Sequence, residues 1–256
     1  MSELMEDPDR AVTMVVHGPA GVGKSTFGVS GPVPRLLLDS ENAARWVRQR
    51  KKRWDPLTEA PPVWDGTWEL CVVKMNSWAV AQKVLEWIVS GQHPFKSVSV
   101  DSLSELQAKA IEEISAGKGM KMQDWGVLLQ NMGGFLRTLR DVIDEGGQGI
   151  QVMTLVSTSK KDNNGVLKPY LQGQLASQIP YLFDITAYLY VDQFPNEQGE
   201  MVEHRVLFTG THPEYEAKSR PSGFPTHMYN PTLITVLDTL FPPMGPPHQM
   251  MEPPSQ

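Results

Sequence analysis

The sequence predicts an α/β fold with a mostly parallel β-sheet, helices on both faces and a C-terminal antiparallel strand pair. Short apolar runs alternate with segments of helical spacing through residues 11–156, an alternation typical of β-α-β units. A glycine-rich turn at residues 18–25 links the first apolar run to the first helix. Near the C-terminus, apolar runs at residues 184–192 and 203–209 flank a polar turn at residues 196–199, which predicts the antiparallel pair.

The glycine-rich turn fits a phosphate-binding motif. Residues 18–25, Gly-Pro-Ala-Gly-Val-Gly-Lys-Ser, match G-x-x-x-x-G-K-[ST] between a strand predicted at residues 11–16 and a helix predicted to end near residue 30. Glycines let backbone N–H groups approach phosphate oxygens, while Lys24 reaches the β/γ-phosphates and Ser25 binds Mg²⁺. An ordinary strand–helix turn is the alternative. The predicted nucleotide-binding residues are Gly18, Pro19, Ala20, Gly21, Val22, Gly23, Lys24, Ser25 and Thr26.

Composition limits the class of protein. The 256 residues and 40% hydrophobic content suit one α/β domain at residues 11–241, between a flexible start at residues 1–10 and a disordered Pro-rich tail at residues 242–256. No apolar stretch reaches the roughly 20 residues that span a membrane. The only cysteine, Cys71, excludes an intramolecular disulfide and favours a cytoplasmic location. The net charge of −6 argues against a protein surface that is basic overall, as general nucleic-acid binding would need. It is compatible with local basic loops.

The remaining elements follow from apolar runs and helical spacing. Strands are predicted at residues 35–39, 69–74, 95–102 and 150–156, and helices at residues 78–89, 125–143 and 231–240. Ser102 and Glu105 form a capping box for another helix. Residues 157–173 are predicted to form a polar loop.

A further helix is predicted after Ser40, and it carries a basic tract with Trp46 and Trp54 interleaved. The basic residues of this tract are Arg45, Arg48, Arg50, Lys51, Lys52 and Arg53. The pattern is equally compatible with nucleic-acid contact and with a solvated helix face.

Two carboxylates stand at predicted strand ends, which in a parallel sheet meet at one edge. Asp101 ends the strand at residues 95–102, where an acid can hold Mg²⁺ through its water shell. A simple helix cap is the alternative for Asp101. Glu41 lies two residues beyond Asp39, and a glutamate there can polarise the attacking water. A solvated residue in the first turn of a helix is the alternative for Glu41.

The order of these motifs resembles the RecA-type ATPase core. In that core the second strand is followed by Asp-x-Glu-x-Ala with a catalytic glutamate, and residues 39–43, Asp-Ser-Glu-Asn-Ala, have this pattern. The chain is more closely similar to small single-domain RecA-like ATPases of bacteriophages, of the AAA-domain type, some of which belong to the Sak group of single-strand annealing and recombination proteins. The resemblance covers about residues 11–225 and is carried by the segments 124–126, 168–173, 183–191 and 216–220.

The resemblance implies ATP and Mg²⁺ as ligands, with Lys24 and Glu41 in catalysis. It implies that Ser25 and Asp101 hold the metal. It also implies a polar sensor of the γ-phosphate at the end of the strand after Asp101. The candidate sensor residues are Ser157, Thr158 and Ser159, in place of the Gln or His of relatives.

A basic segment near the C-terminus resembles an element that acts between subunits. Lys218-Ser219-Arg220 is similar to the Lys-x-Arg element by which one subunit of a hexamer reaches its neighbour's nucleotide. Lys218 and Arg220 are therefore expected to act in trans, as arginine fingers do in phosphoryl transfer. The expected assembly is a homo-oligomeric ring or filament. A solvated basic turn is the alternative.

RecA-like folds face DNA with two loops, which the resemblance places at residues 116–124 and 158–174. Lysines beside an aromatic ring suit sequence-tolerant binding of single strands. The residues expected to bind single-stranded DNA are Lys118, Lys121, Lys160, Lys161, Lys168 and Tyr170. Mobile, solvated loops without a DNA role are the alternative.

The leading functional hypothesis is an ATPase that binds single-stranded DNA and supports phage-type recombination or strand annealing, in the bacterial host cytoplasm if phage-encoded. An accessory ATPase without a DNA role stays open. A small-molecule nucleotide kinase also stays open, although no Arg-rich lid is found beyond residues 45–53. A GTP switch needs an Asn-Lys-x-Asp guanine reader, which residues 161–164, Lys-Asp-Asn-Asn, do not supply.

Overall fold

Strand β1 (Val12–Gly18) lies inside an eleven-stranded sheet in the computed structural model, which describes residues 10–144, 149–195 and 198–242. The other strands are β2 (Arg35–Asp39), β3 (Lys51–Arg53), β4 (Leu70–Lys74), β5 (Ser97–Asp101), β6 (Val152–Lys161), β7 (Leu167–Pro169), β8 (Ile185–Pro195), β9 (Met201–Phe208), β10 (Lys218–Ser219) and β11 (His227–Tyr229). The helices are α1 (Lys24–Gly28), α2 (Trp78–Ser90), α3 (Leu103–Ser115), α4 (Met122–Asp144), α5 (Leu175–Leu182) and α6 (Leu233–Leu240). Most of the predicted flexible start and Pro-rich tail, and part of the turn at 196–199, fall outside the described residues.

The sheet has the order β11-β9-β8-β1-β6-β5-β2-β4-β3, with β10 on β8 and β7 on β6. The strands from β8 through β1 to β3 are parallel, whereas β9, β10 and β11 join by antiparallel pairing. The predicted fold class is thereby confirmed, including the C-terminal antiparallel pair. The order also brings the carboxyl ends of β1, β5 and β2 to one edge of the sheet, which we call the nucleotide edge.

Side chains of β1 alternate between two hydrophobic cores, as a strand with a period of two residues requires. Val15 packs on one face with residues of α2, α3, α4 and α5. Met14 and Val16 pack on the other face with residues of α1 and α6. Both faces of the parallel strands are therefore covered, as is usual for parallel sheets. None of the helices in the described ranges is long and apolar enough to cross a bilayer.

The prediction of a helix after Ser40 is wrong. A 3-10 turn, Ala43–Trp46, is followed by the edge strand β3. The turn forms because the Asp39 carboxylate accepts hydrogen bonds from the N–H groups of Ala43 (2.9 Å) and Ala44 (3.1 Å). Ser40, which precedes this turn, donates its hydroxyl hydrogen to the carbonyl oxygens of residues 101 and 102. The basic tract therefore continues into an exposed sheet edge rather than lying on a helix face.

The polar loop predicted at residues 157–173 is also corrected. Strand β6 continues to Lys161, beyond its apolar part, and pairs antiparallel with β7. The Asp162 carboxylate accepts N–H groups of Asn164 (2.8 Å) and Val166 (3.0 Å), which closes the turn between the two strands. The predicted second DNA loop is thus largely an ordered β-hairpin.

Candidate nucleotide site

The phosphate loop joins the end of β1 to the start of α1. Gly21 and Gly23 have φ angles of 82° and 95°, a backbone conformation that favours glycine. A Cβ atom on Gly18 would lie 2.1 Å from the carbonyl oxygen of Leu189 on β8, so only glycine fits at this position. Thr26, the last predicted binding residue, lies in the first turn of α1. The loop conformation therefore explains its glycine spacing.

Lys24 lies inside the loop and is only 9% exposed. Its ammonium group donates hydrogen bonds to the carbonyl oxygens of Gly18 (2.9 Å) and Pro19 (2.6 Å). Burial lowers the pKa of Lys24, and the nearby carboxylates of Asp101 and Glu41 raise it. A phosphate oxygen is a stronger partner than a neutral carbonyl for this cation. The chemistry of Lys24 therefore fits a phosphate ligand.

Asp101 ends β5 and is 2% exposed. Its Oδ2 atom has no hydrogen-bond partner in the described residues. Burial raises the pKa of Asp101 to about 6, the carboxylates of Glu41 and Asp39 add to that rise, and the Ser25 hydroxyl and Lys24 oppose it. A buried carboxylate oxygen without a partner, beside a serine hydroxyl, fits a hydrated Mg²⁺.

The metal site would also need ligands from the nucleotide and water. No group of three or more His, Cys, Asp or Glu side chains in the described ranges forms a ligand cluster of its own. Mg²⁺ commonly binds one or two protein ligands together with substrate phosphates and water. Ser25 and Asp101 agree with that pattern.

Glu41 stands at the mouth of β2, next to the turn that follows Asp101. The Ser102 hydroxyl donates a hydrogen bond to Glu41 Oε1, and the same hydroxyl accepts the Glu105 N–H at 3.3 Å. Ser102 therefore caps α3 as predicted, but its own N–H bonds to the Ser40 hydroxyl (2.8 Å) instead of to Glu105. Glu41 remains exposed to solvent. Its position suits a group that must meet a water molecule.

The carboxylate of Asp39 is engaged elsewhere. Both of its oxygens accept backbone N–H groups of the 3-10 turn. These two hydrogen bonds hold the carboxylate in the turn. Of the two acids at the end of β2, Glu41 is therefore the better candidate for accepting a proton from a water molecule.

The candidate sensor residues all have partners within the chain. Ser157 accepts the Tyr170 N–H at 3.0 Å, and the Thr158 hydroxyl lies 3.3 Å from the Ser104 hydroxyl. The Ser159 hydroxyl lies 2.9 Å from His17 Nδ1. The β1–β6 register pairs Thr158 with Gly18, so this strand end lies beside the phosphate loop.

Sequence reasoning missed His17, which directly precedes the loop. Its Nε2 atom bonds to the carbonyl oxygen of Glu216 at 2.7 Å. Burial lowers the pKa of His17 to about 4, the Glu216 carbonyl opposes this shift, and Lys24 adds to it. His17 is therefore neutral near pH 7 and links β1 to β6 and to the segment before β10. A histidine in an apolar run was the only signal in the sequence.

The trans-finger residues lie away from the phosphate loop of their own chain. Arg220 forms an ion pair with Asp184 (3.7 Å) and donates a hydrogen bond to the Tyr181 carbonyl. Asp184 in turn accepts the N–H of Thr13 at 2.9 Å, near the start of β1. Gly18 is five residues further along this strand, a distance of about 16 Å. Lys218 is in β10, with its ammonium 6.0 Å from the centre of the Tyr181 ring.

The predicted DNA-binding residues occupy two exposed segments. Lys118 and Lys121 lie between α3 and α4 and are exposed. On the hairpin, Lys160 lies 4.9 Å over the Tyr170 ring, Lys161 is exposed, and Lys168 pairs with Asp162 at 3.1 Å.

A cleft of about 340 Å³ lies between the ends of the two segments. Its walls are formed by the start of α4 and by residues 172–175, with Gln107 of α3 between them. Gln107 exchanges two hydrogen bonds with the backbone of Gln172, at 3.1 and 2.7 Å. Trp125 contributes an aromatic surface that is 37% exposed. The two predicted segments are thus neighbours in the fold.

Comparison with known families identifies the family of the chain. The family profile of the AAA domain matches residues 10–221. No curated protein matches the chain significantly. Among solved structures, a KaiC-like protein of the hyperthermophilic archaeon Pyrococcus horikoshii is similar, at 12% identity, 77% coverage of each chain and a TM-score of 0.41, a likeness too distant to bear on function. The chain belongs to the AAA domain family, and its phosphate loop lies at the edge of a mostly parallel α/β core.

Proposed function

We propose that the protein is a Mg²⁺-dependent ATPase that binds single-stranded DNA and acts in phage-type recombination or strand annealing in the cytoplasm. The observation that carries the ATPase part is the meeting of Lys24, Asp101 and Glu41 at the nucleotide edge. These side chains belong to three different strand–turn junctions. The β2–β5 register pairs Asp39 with Asp101, and Ser102 bonds to Glu41, while the charges of Asp101 and Glu41 both raise the pKa of Lys24. A cation, a metal-binding carboxylate and a solvent-exposed carboxylate are the groups that hydrolysis of a phosphoanhydride needs.

The proposed reaction assigns a task to each group. Lys24 leaves its loop carbonyls and binds the β/γ-phosphates, while Ser25 and Asp101 would hold the metal. Mg²⁺ supplies positive charge that stabilises the transferring phosphoryl group. Glu41 accepts a proton from the water whose oxygen attacks the γ-phosphorus. The bond to the bridging oxygen breaks, ADP and phosphate leave, and Glu41 returns its proton to solvent.

The hydrogen bond from Ser102 supports this assignment of Glu41. It orients one carboxylate oxygen and leaves the other for the attacking water. Because Ser102 directly follows Asp101, the same turn positions the base and the metal-binding acid. A general base contributes about 10²- to 10⁴-fold to a rate.

The proposal of DNA binding rests on the hairpin and the α3–α4 loop. Both segments are exposed and basic in a chain whose net charge is −6. Lysines that follow a phosphate backbone, together with Tyr170 and Trp125 as stacking surfaces, suit single-stranded nucleic acid. A local positive field of this kind permits binding by an acidic protein.

The proposal of a ring or filament rests on Arg220. Arg220 pairs with Asp184, which binds Thr13, and Thr13 precedes Gly18 by five residues, or about 16 Å of strand. We therefore expect the Arg220 guanidinium to act on the nucleotide of another subunit rather than on that of its own. Mixing Arg220→Ala subunits with Lys24→Ala subunits should restore part of the activity. A monomeric, fully active ATPase in light scattering would contradict this part.

One experiment separates the proposed function from its alternatives. ATP turnover is measured with and without single-stranded DNA, and the proposal expects DNA-stimulated turnover. Turnover without any response to DNA, together with an absence of DNA binding, would favour an accessory ATPase. Transfer of the γ-phosphate to a nucleoside monophosphate rather than to water would favour a kinase.

A further inference from the structure

Arg205 on β9 is placed directly against the phosphate loop. A Cβ atom on Gly23 would lie 2.6 Å from Arg205 Nε and 3.5 Å from Arg205 Cζ, so the guanidinium covers the loop backbone at this position. Gly23 immediately precedes Lys24 and has a φ of 95°. The contact therefore adds a second cation to the loop from within the same chain.

The backbone of Arg205 is held at this place by two strands. Its N–H donates to Asn230 Oδ1 at 3.0 Å, and its carbonyl oxygen accepts the Asn230 N–H at 2.7 Å. On the other side, β9 pairs with β8 so that Arg205 lies opposite Val191. The position of the side chain is thus a consequence of the sheet and not of a free loop.

The guanidinium has no partner that explains its location. Within the described ranges, the hydrogen bonds of Arg205 involve its backbone, and no carboxylate pairs with its side chain. A cation against the N–H groups of a phosphate loop is repelled by the positive ends of those dipoles. An anion bound in the loop would attract the guanidinium and accept hydrogen bonds from its N–H groups.

The sheet order indicates which part of a nucleotide Arg205 meets. β9 is the second strand from β1 on one side, and β5 is the second strand on the other. Asp101 and Glu41 therefore lie on the opposite side of the loop from Arg205. If the γ-phosphate faces those acids, the α-phosphate and the ribose extend toward β8 and β9.

We propose that Arg205 binds the α-phosphate of the nucleotide in cis. The inference rests on the proposed nucleotide site but not on hydrolysis or on DNA binding. The planar guanidinium can give two parallel hydrogen bonds to phosphate oxygens, which a lysine cannot reproduce. Arg205 acts equally on ATP and ADP, because both carry the α-phosphate.

The experiment is calorimetric titration of ATP and of ADP into the wild-type protein and three variants. Arg205→Ala removes the cation. Arg205→Lys keeps the positive charge but lacks the paired N–H donors of the planar guanidinium. Arg53→Ala is the matched control, because Arg53 is also an exposed strand arginine but lies on β3, at the far edge of the sheet. Thermal unfolding of each variant checks that the fold is kept.

The expected result is a loss of affinity of about 10- to 100-fold in Arg205→Ala, by the same factor for ATP and ADP. Arg205→Lys should lose less affinity than Arg205→Ala, and Arg53→Ala should match the wild type. Unchanged ADP affinity in Arg205→Ala would overturn the inference, because it would place Arg205 at the γ-phosphate or off the nucleotide. A wild-type protein that binds neither nucleotide would overturn the inference and the proposed function together.

Discussion

The nucleotide edge and the β6–β7 hairpin differ in what holds their functional side chains. At the nucleotide edge, Lys24 and Asp101 are buried, and Glu41 is fixed by a hydrogen bond from Ser102. On the hairpin, Lys161 is exposed, and Lys168 has a single surface ion pair with Asp162. Chemistry on a reacting atom requires fixed geometry, whereas contact with a flexible phosphate backbone requires mainly charge. The difference therefore agrees with the proposed division between a catalytic region and a DNA-binding surface.

The largest effect expected from this comparison is on turnover in Glu41→Gln. The amide keeps the shape of the side chain but cannot accept the proton, so kcat should fall about 100-fold or more while ATP still binds. Steady-state turnover and ATP titration measure the two quantities. Asp39→Asn is the neighbouring control, and it should affect the 3-10 turn and stability rather than the chemical step. Unchanged turnover in Glu41→Gln would remove Glu41 as the base.

The next effect concerns the protonation of Asp101. Its pKa is raised to about 6, chiefly by burial, and only the ionised form suits a metal. Mg²⁺-dependent ATP affinity should therefore be constant above pH 7 and fall by up to about tenfold per pH unit below pH 6. Titrations from pH 8 to pH 5 measure this dependence.

Asp101→Asn is the control for that pH dependence. The titration of the nucleotide itself is common to both proteins, so the difference between wild type and variant isolates Asp101. The variant should bind more weakly at pH 8 and lose the additional fall below pH 6. An identical pH profile in both proteins would show that Asp101 does not hold the metal.

A smaller effect is expected from the aromatic ring of the hairpin. Tyr170→Ala should weaken binding of single-stranded DNA by roughly 1–3 kcal/mol, the usual loss for one stacked base. Tyr170→Phe keeps the ring and should bind nearly as well as wild type. Fluorescence anisotropy with a labelled oligonucleotide measures both affinities. Equal losses in the two variants would exclude stacking as the role of this ring.

The smallest effect separates two lysines of the hairpin. Lys161 is exposed, whereas Lys168 is paired with Asp162, which raises the pKa of Lys168. Lys161→Ala should reduce the slope of log K against log salt by about one unit, and Lys168→Ala should reduce it less. The slope is measured by DNA titrations at several salt concentrations. Equal changes for both lysines would mean that the ion pair opens on binding.

The sequence predicted the nucleotide edge better than its surroundings. Gly21 and Gly23 are required by their own positive φ angles, and this requirement is visible in the motif itself. Asp101 was recognisable because it ends an apolar run that becomes β5. Such local signals survive folding because they involve residues close in sequence.

The failures occur where hydrogen bonds and strand pairing, rather than the apolar pattern, determine the structure. The 3-10 turn replaced a predicted helix because Asp39 binds the N–H groups of Ala43 and Ala44, and the basic residues then joined the sheet edge by pairing with β4. The hairpin was missed because the apolar pattern of β6 ends near residue 156, while its backbone pairing continues to Lys161. Arg205 was not identified because its contact with Gly23 depends on the pairing of β8 and β9.

The central claim is that the loop between β1 and α1 is the site of the nucleotide. Titration of MgATP into wild-type and Lys24→Ala protein in a calorimeter tests it most directly, because Lys24 serves the loop rather than either hydrophobic core. The account predicts that the variant keeps its fold and loses most of its ATP affinity. Equal affinity in the two proteins would place the nucleotide elsewhere and contradict the account.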